Sequence, residues 1–564
     1  MRSRREFLRS VSLAAGAVVS FDFGPLPWLR VSTRGSARAG MILRGGLVYD
    51  GTGAPPREAD VAIAGDRIEA IGAGLEAPGA EIVRVDGLAV APGFIDIHSH
   101  SDLVLLVDPL AQSKVRQGVT TEVAGQDGSS IGPWSEARFQ ETRAAYRSRY
   151  GIEIDFRDLA GFFKRLERDK PAVNLASMVG HGTVRSFVMG DSAEPASEKQ
   201  RREMAELVER ALQEGACGVS SGLEYLPGAF ADLEELAEIA RPLAPRRLPY
   251  ASHLRNEDDR LLAAVEEAIN VGRRAGVPVH ISHLKAQGQR NWWKADPLLE
   301  VIDRAAASGI DLSFDVYPYV AYSTGLSNLF PVWAREGGTE AFLARLADPS
   351  LASRIEVYVR DKIAQLGSWD AVQISNTGAD SLAWARGRRL GELAGERGTE
   401  PYQLLVELVV KDRNRSGMIG FGMSEENVLR FLRHRAAMVC SDGSALAAEG
   451  PLAQGSPHPR NFGAFPRVLG YVCRERRALS LEQAIHKMTA VPARLLRLEG
   501  RGVLAPGSYA DVVVFDPATV ADRATFERPH QYPVGILHVM VNGQWVLRDG
   551  EHTGARPGRV LRPR

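Results

Sequence analysis

Three cysteines, Cys217, Cys440 and Cys473, are all that the 564 residues contain. They are too few and too scattered for a disulfide framework or a Cys-x-x-Cys metal site. Neither sign of charge is in excess: Lys plus Arg equals Asp plus Glu at 69 each. That balance excludes a basic nucleic-acid binder and an acidic solvating tail. No apolar run approaches the roughly 20 residues needed to span a bilayer, so no stable membrane anchor is expected. Low-complexity segments and short-period repeats are also missing. Any metal must therefore be held mainly by histidine and carboxylate, and twelve histidines make that feasible. The remaining composition, 45% hydrophobic and 24% charged, is that of a globular protein with a large core.

Residues 1–39 read as an address rather than as fold. Ser3-Arg4-Arg5-Glu6-Phe7-Leu8 resembles the twin-arginine export motif, a short apolar stretch runs from Val11 to Val19, and Ala37-Arg38-Ala39 offers a small-x-small cleavage site. The expected location is periplasmic or secreted, with the export machinery as a transient partner.

Short alternating strands follow from Met41, in Gly46–Asp50, Asp60–Ile63 and Arg67–Ile71, and the same texture returns in Ala510–Phe515 and Val539–Gly543. Two β-rich ends flanking a long α/β middle most simply pair with each other. Residues 40–90 and 501–564 are thus expected to form one composite β domain. The middle, 91–500, repeats a short apolar strand and a helix. Eight strands are predicted, beginning near Gly93, Val119, Val173, Ala216, Pro249, Val277, Ile310 and Ala437. Helical periodicity is clearest in Leu261, Leu262, Val265, Ala268, Ile269 and Gly272. Eight βα repeats imply an α/β fold, a (β/α)8 TIM-like barrel. The gap between the seventh and eighth strands is too long for one helix, so an insertion is expected at about residues 322–430.

Chemistry collects at the strand ends. Ile95-Asp96-Ile97 leads into His98-Ser99-His100, where alternate residues of an extended chain point the same way. Tyr250-Ala251-Ser252 leads into His253, Val279-His280-Ile281-Ser282 into His283, and Met438-Val439-Cys440-Ser441 into Asp442. The C-terminal rim of such a barrel is where side chains from different strands converge on a catalytic site. Histidine and carboxylate donors suit Zn²⁺ or a similar divalent ion. His280, three residues before His283, is expected to face the other way and to be structural. His181 follows the third strand without a partner spacing, and its role stays open.

The motif Pro92-Gly93-Phe94-Ile95-Asp96-Ile97-His98-Ser99-His100 resembles the first-strand signature of the amidohydrolase superfamily. Within it the chain is most similar to N-acyl-D-amino-acid deacylases (D-aminoacylases). The likeness lies in Ser220–Gly228, Ser252–Glu257, Ile281–Lys285, Asp315–Tyr319 and Pro457–Arg460. The resemblance implies metal-dependent hydrolysis of an N-acyl-D-amino acid to a carboxylate and a D-amino acid. It implies that His253 and His283 hold a tightly bound Zn²⁺, with His98 and His100 completing the other side, where a second, weaker divalent ion has room. Asp442 would be both ligand and proton shuttle, and Tyr225 would help to stabilise the oxyanion. Lys285, Tyr317, Ser323 and Arg460 match positions that bind the substrate carboxylate. The plain alternatives are a rim ion pair for Lys285 and a loop salt bridge for Arg460.

The chain departs from the family at one ligand. Many D-aminoacylases carry Gly-Asn-Cys-Gly after the second strand, with that cysteine on zinc. Here Gly125-Gln126-Asp127-Gly128 stands instead, which puts Asp127 in the cysteine's place; Glu122, inside the strand, is the competing candidate. A cyclic-amide hydrolase of the hydantoinase or dihydroorotase type is the second reading. Its usual carbamylated lysine on the fourth strand is missing from Ala216–Ser221. A non-catalytic periplasmic binding protein on the same barrel is the third.

Overall fold

Eight short strands alternate with helices and close into a ring in the computed structural model, which describes residues 39–563. The expected export segment lies outside the described residues except for Ala39. The strands are Phe94–Asp96, Val119–Ala124, Asn174–Ser177 continued by Val179–Gly180, Val219–Gly222, Tyr250–His253, Val279–Ile281, Leu312–Val316 and Ala437–Val439. Each starts within a few residues of its expected place. Neighbours pair in parallel, for example Val219 with Tyr250 and Phe314 with Ala437. The third strand breaks at Met178, so its first half pairs with the second strand and its second half with the fourth. The ring closes where Ser99 bridges Gly443, His98 O accepts Asp442 N–H at 2.9 Å and His100 N–H donates to Gly443 O at 3.0 Å. The first and eighth strands therefore deliver their ligands side by side.

Every barrel-strand position is buried, as a parallel sheet sheathed by helices requires. Helix Leu261–Ala275 turns Leu261, Val265, Ala268 and Ile269 inward and ends on Gly276 in the left-handed conformation. A Cβ on Gly272 would meet Val279 Cγ2 at 2.1 Å, so that glycine sets how closely the helix lies on the sixth strand.

The two chain ends share one sheet. Ala89–Pro92 runs parallel to Met41–Val48 and antiparallel to Val512–Phe515, with Val512 opposite Pro92. Leu43, Val48, Val61, Val90, Val512, Val514 and Met540 form its separate core. Pro92 lies two residues before the first barrel strand, so sheet and barrel are wired together at the strand that carries His98. After the seventh strand, Tyr322–Gly325, Val372–Asn376 and Gly417–Gly420 form a small antiparallel sheet, joined by helix Pro349–Leu366 among others. Ser323, Thr324, Lys362 and Met418 from this insertion line the cavity over the barrel mouth. No helix among the described residues is long and apolar enough to cross a membrane.

Candidate metal centre and active site

Six side chains converge at the C-terminal rim. One donor atom each from His98, His100, Asp127 and Asp442 lies within 4.8 Å of the others, and the same holds for Asp127, His253 and His283. Asp127 belongs to both of these groups, while Glu224, His253 and Glu257 form a third. Asp127 Oδ1 lies 3.5 Å from His98 Nε2, 3.4 Å from His283 Nε2 and 3.7 Å from His253 Nδ1, and its Oδ2 lies 3.5 Å from His100 Nε2. Donors about 2.0–2.2 Å from a tetrahedral ion stand roughly 3.3–3.6 Å apart, so most of these edges already match.

The turn that presents Asp127 depends on a glycine. A Cβ on Gly222 would sit 2.0 Å from Asp127 O, so the turn can lie directly over the end of the fourth strand only because Gly222 has none. Asp127, His283 and Asp442 all have positive φ, at 53°, 34° and 48°. Each such residue costs about 1–3 kcal/mol, and the surrounding structure must hold it there.

The charge balance asks for a cation. Buried donors without a hydrogen-bond partner include both His98 nitrogens, Asp127 Oδ1 and His253 Nε2. Burial lowers the imidazole pKa values, yet the surrounding carboxylates overcome it. Hydrogen bonds to Asp127 and Asp442 lift His100 to about 9, and Glu257 with Asp127 and Glu224 lifts His253 to about 10. Burial pushes the Asp127 carboxyl up, but His98, His283, His100 and His253 hold it well below the usual range. A site that protonates its own histidines is short of positive charge. A divalent ion meets that demand and takes His98 Nε2 and Asp127 Oδ1, the orphaned atoms that face the ligand groups. The residues fit such an ion.

Behind the ligands stand carboxylates absent from the sequence-based set. Asp315 Oδ2 lies 3.6 Å from His98 Nδ1, and Glu257 Oε1 lies 3.1 Å from His283 Nδ1. Glu224 Oε2 is 3.9 Å from His253 Nε2. Glu257, at hydrogen-bonding distance, orients the His283 imidazole and raises its basicity, whereas Asp315 and Glu224 act on His98 and His253 as nearby charges. Their signal in sequence was only their membership in the quoted motifs.

His280 corrects one expectation. It points into the barrel, with Nε2 2.7 Å from Asp315 Oδ2 and Nδ1 2.9 Å from Ser313 Oγ. The alternation argument fails because the strand ends at Ile281 and the chain turns at His283. His181 pairs with Glu235 at 2.7 Å, and Glu235 also takes Arg185, a buried structural cluster. Glu122 lies outside both ligand groups. Its Oε2 accepts Ser99 Oγ–H at 2.5 Å and Ser101 Oγ–H, with Lys114 Nζ at 3.3 Å. Lys114 itself donates to Asp96 at 2.6 Å, Ser441 Oγ at 2.7 Å and Gly443 O at 2.9 Å. One buried ammonium thus ties the loop of His98 and His100 to the loop of Asp442.

The expected substrate-binding residues separate into three situations. Arg460 lines the cavity, its Nη1 in an ion pair with Asp442 Oδ2 at 2.7 Å, while Nε has no hydrogen-bond acceptor. Burial pushes the Asp442 carboxyl up, but Arg460 and the imidazoles hold it well below the ordinary range. Tyr225 and Ser323 also line the cavity. The Tyr225 ring lies 4.6 Å from that of His253, and burial together with Asp127 keeps its hydroxyl protonated far above pH 10. Lys285 lines the cavity too, yet its ammonium donates to Glu257 at 2.6 Å and lies 2.8 Å from His283 Nδ1. Tyr317 stands behind the wall. It is 1% exposed, its ring lies 4.8 Å beneath the Arg460 guanidinium, and its hydroxyl neighbours Met423 Sδ.

A closed parallel barrel with histidine and aspartate gathered at its C-terminal rim defines a metal-dependent hydrolase scaffold. The amidohydrolase family model matches residues 81–295 and 450–547. The chain is 39% identical to N-acyl-D-glutamate deacylase of Alcaligenes xylosoxydans xylosoxydans, covering 93% of this chain and 96% of that protein. It is 38% identical to D-aminoacylase of the same organism, covering 92% and 97%. The crystal structure of N-acyl-D-glutamate deacylase from Bordetella bronchiseptica, complexed with zinc and a phosphonate inhibitor, superposes with a TM-score of 0.78 at 36% identity, over 93% of this chain and all of that one. The chain belongs to the amidohydrolase family, in its branch of N-acyl-D-amino-acid deacylases.

Proposed function

We propose that the protein hydrolyses the amide bond of N-acyl-D-amino acids, giving a carboxylate and a free D-amino acid. The observation that carries this is the shared carboxylate Asp127, set between two histidine pairs and facing Asp442 and Arg460 across one cavity. His98, His100, Asp127, His253, His283 and Asp442 are the residues to hold the metal. The nitrogen and oxygen donor set suits Zn²⁺, bound most tightly by Asp127, His253 and His283. When bound there, a divalent ion supplies Lewis-acid activation of water and of the amide carbonyl.

The chain's own groups do the rest. Arg460, whose Nε–H has no acceptor, takes the substrate carboxylate beside its ion pair with Asp442, and Ser323 and Lys285 border the same place. Tyr225 keeps its proton and donates a hydrogen bond to the oxygen that becomes negative as water adds to the carbonyl carbon. Asp442, ionised at neutral pH, accepts the proton of the attacking water. It then gives that proton to the nitrogen as the C–N bond breaks. The absence of lysine from Val219–Gly222 disfavours the carbamylated centre of a cyclic-amide hydrolase. Zinc-loaded protein should release D-amino acid from N-acetyl-D-amino acids and leave the L-enantiomers and hydantoins untouched. Turnover of hydantoins in place of linear amides would overturn the reading.

The twin-arginine motif at Arg4-Arg5 points to a periplasmic or secreted enzyme. Replacing both arginines by lysine should leave the protein in the cytoplasm, and unchanged export would contradict this assignment.

A further inference from the structure

The cavity over the metal centre measures about 1200 Å³, above the roughly 300–1,000 Å³ of an ordinary small-molecule site. Its two walls differ in chemistry. On the side of the later strands and the insertion it is lined by Glu224, Glu257, Lys285, Tyr322, Lys362 and Arg460. On the side of the loops that follow the first three strands it is lined by Leu103, Val104, Ile131, Trp134, Tyr146 and Phe187.

Several polar groups on the second wall are already hydrogen-bonded. Asp102 Oδ1 accepts Gly125 N–H at 3.1 Å, Thr183 Oγ1 accepts Ser130 N–H at 3.0 Å, and Trp134 Nε1–H donates to Ser130 O at 3.2 Å. Ser130 Oγ–H donates to Gly132 O at 2.8 Å. Arg138 and Glu141 pair with each other at 2.9 Å on exposed positions of the rim. Phe187, on helix His181–Met189, is 41% exposed although large and apolar, and its exposed surface faces this cavity. A wall on which these polar groups are hydrogen-bonded and large apolar side chains stand open suits an apolar ligand.

The deacylase reading, on which this inference rests, fixes which part of the substrate arrives there. Arg460 takes the carboxylate, so the Cα and its side chain stay beside the charged wall. A trans amide sends the acyl chain away from Cα, on the opposite end of the C–N bond. We propose that Leu103, Val104, Ile131, Trp134, Tyr146 and Phe187 form an acyl-chain subsite. The preferred substrates then carry an extended apolar acyl group rather than acetyl alone.

Varying the acyl group from acetyl through butanoyl and hexanoyl to octanoyl, on one fixed D-amino acid, tests this. With each methylene that enters the subsite, kcat/KM should rise about threefold to fourfold. Free hexanoate should inhibit more strongly than acetate, a readout that needs no variant. In Phe187→Asp and Val104→Asp the ratio of hexanoyl to acetyl kcat/KM should collapse. A flat or falling series in a protein that hydrolyses the acetyl compound overturns the subsite alone, as does an unchanged ratio in both variants. No hydrolysis of any N-acyl-D-amino acid overturns the deacylase reading and the subsite with it.

Discussion

The two halves of the metal centre are built differently. His253 and His283 are enclosed, with side chains only 5% and 2% exposed; in the other half His98 is fully buried, and it is His100 that opens the site, with a side chain 36% exposed. His283 is braced by Glu257 and Lys285, and Glu224 stands beside His253. Both halves line the cavity, but only in the half with His100 does Asp442 share its oxygens, between His100 at 3.0 Å and Arg460 at 2.7 Å. Enclosure with outer support keeps an ion in place. Access for water and substrate needs a side that is neither enclosed nor fully paired. The contrast assigns retention to one half and turnover to the other, with Asp127 as the residue common to both.

Substitutions can break this contrast, and the largest effect belongs to the shared residue. Asp127→Ala should lose metal from both halves and reduce turnover to background, as read by metal analysis alongside an activity assay. Asp442→Asn should separate the halves. Turnover should fall about 10²–10⁴-fold for the lost acid–base group, while the half with His253 and His283 keeps its ion. Near-normal kcat in metal-replete Asp442→Asn would remove Asp442 from the mechanism. Glu257→Gln should act through retention, weakening metal affinity about 10–100-fold in a competition assay with a chelator.

The smallest effects sharpen the contrast on the substrate side. Arg460→Ala and Lys285→Ala should each cost about 1.5–3 kcal/mol in kcat/KM, typical of a hydrogen bond to a charged group. They should differ in metal affinity. Lys285→Ala disturbs Glu257 and His283 and should weaken it, whereas Arg460→Ala should not. Amidating the substrate carboxylate should cost the wild-type protein heavily and the Arg460 variant much less. Equal use of both compounds by the wild type would contradict carboxylate recognition.

How much of this was legible in the sequence follows from where each contact comes from. The eight strands were visible because short apolar runs repeat with helical patterns between them. His98, His100, His253, His283 and Asp442 were visible because each closes such a run. The sheet shared by the chain ends was readable from texture alone, but its joining register, Val512 opposite Pro92, was not. Parity along a strand misplaced His280, since it holds only while the strand stays regular. Asp315, Glu257 and Glu224 escaped because their role is to face another strand's histidine, and pairing across strands leaves no local pattern. Lys114 escaped for a related reason: a lysine in a short helix reads as solvated until barrel closure buries it against Asp96, Glu122 and Ser441. Tyr317 belongs to a matched motif, yet the fold sets it beneath Arg460 rather than on the cavity surface.

Asp127 stands in both donor groups of the centre, whereas Glu122 stands only in the network beneath it. Metal content of the purified Asp127→Ala and Glu122→Gln proteins, each checked for folding by circular dichroism, tests this most directly. The account predicts that folded Asp127→Ala is depleted of metal and that Glu122→Gln retains the wild-type content. Full metal in the alanine variant together with depletion in Glu122→Gln would contradict it.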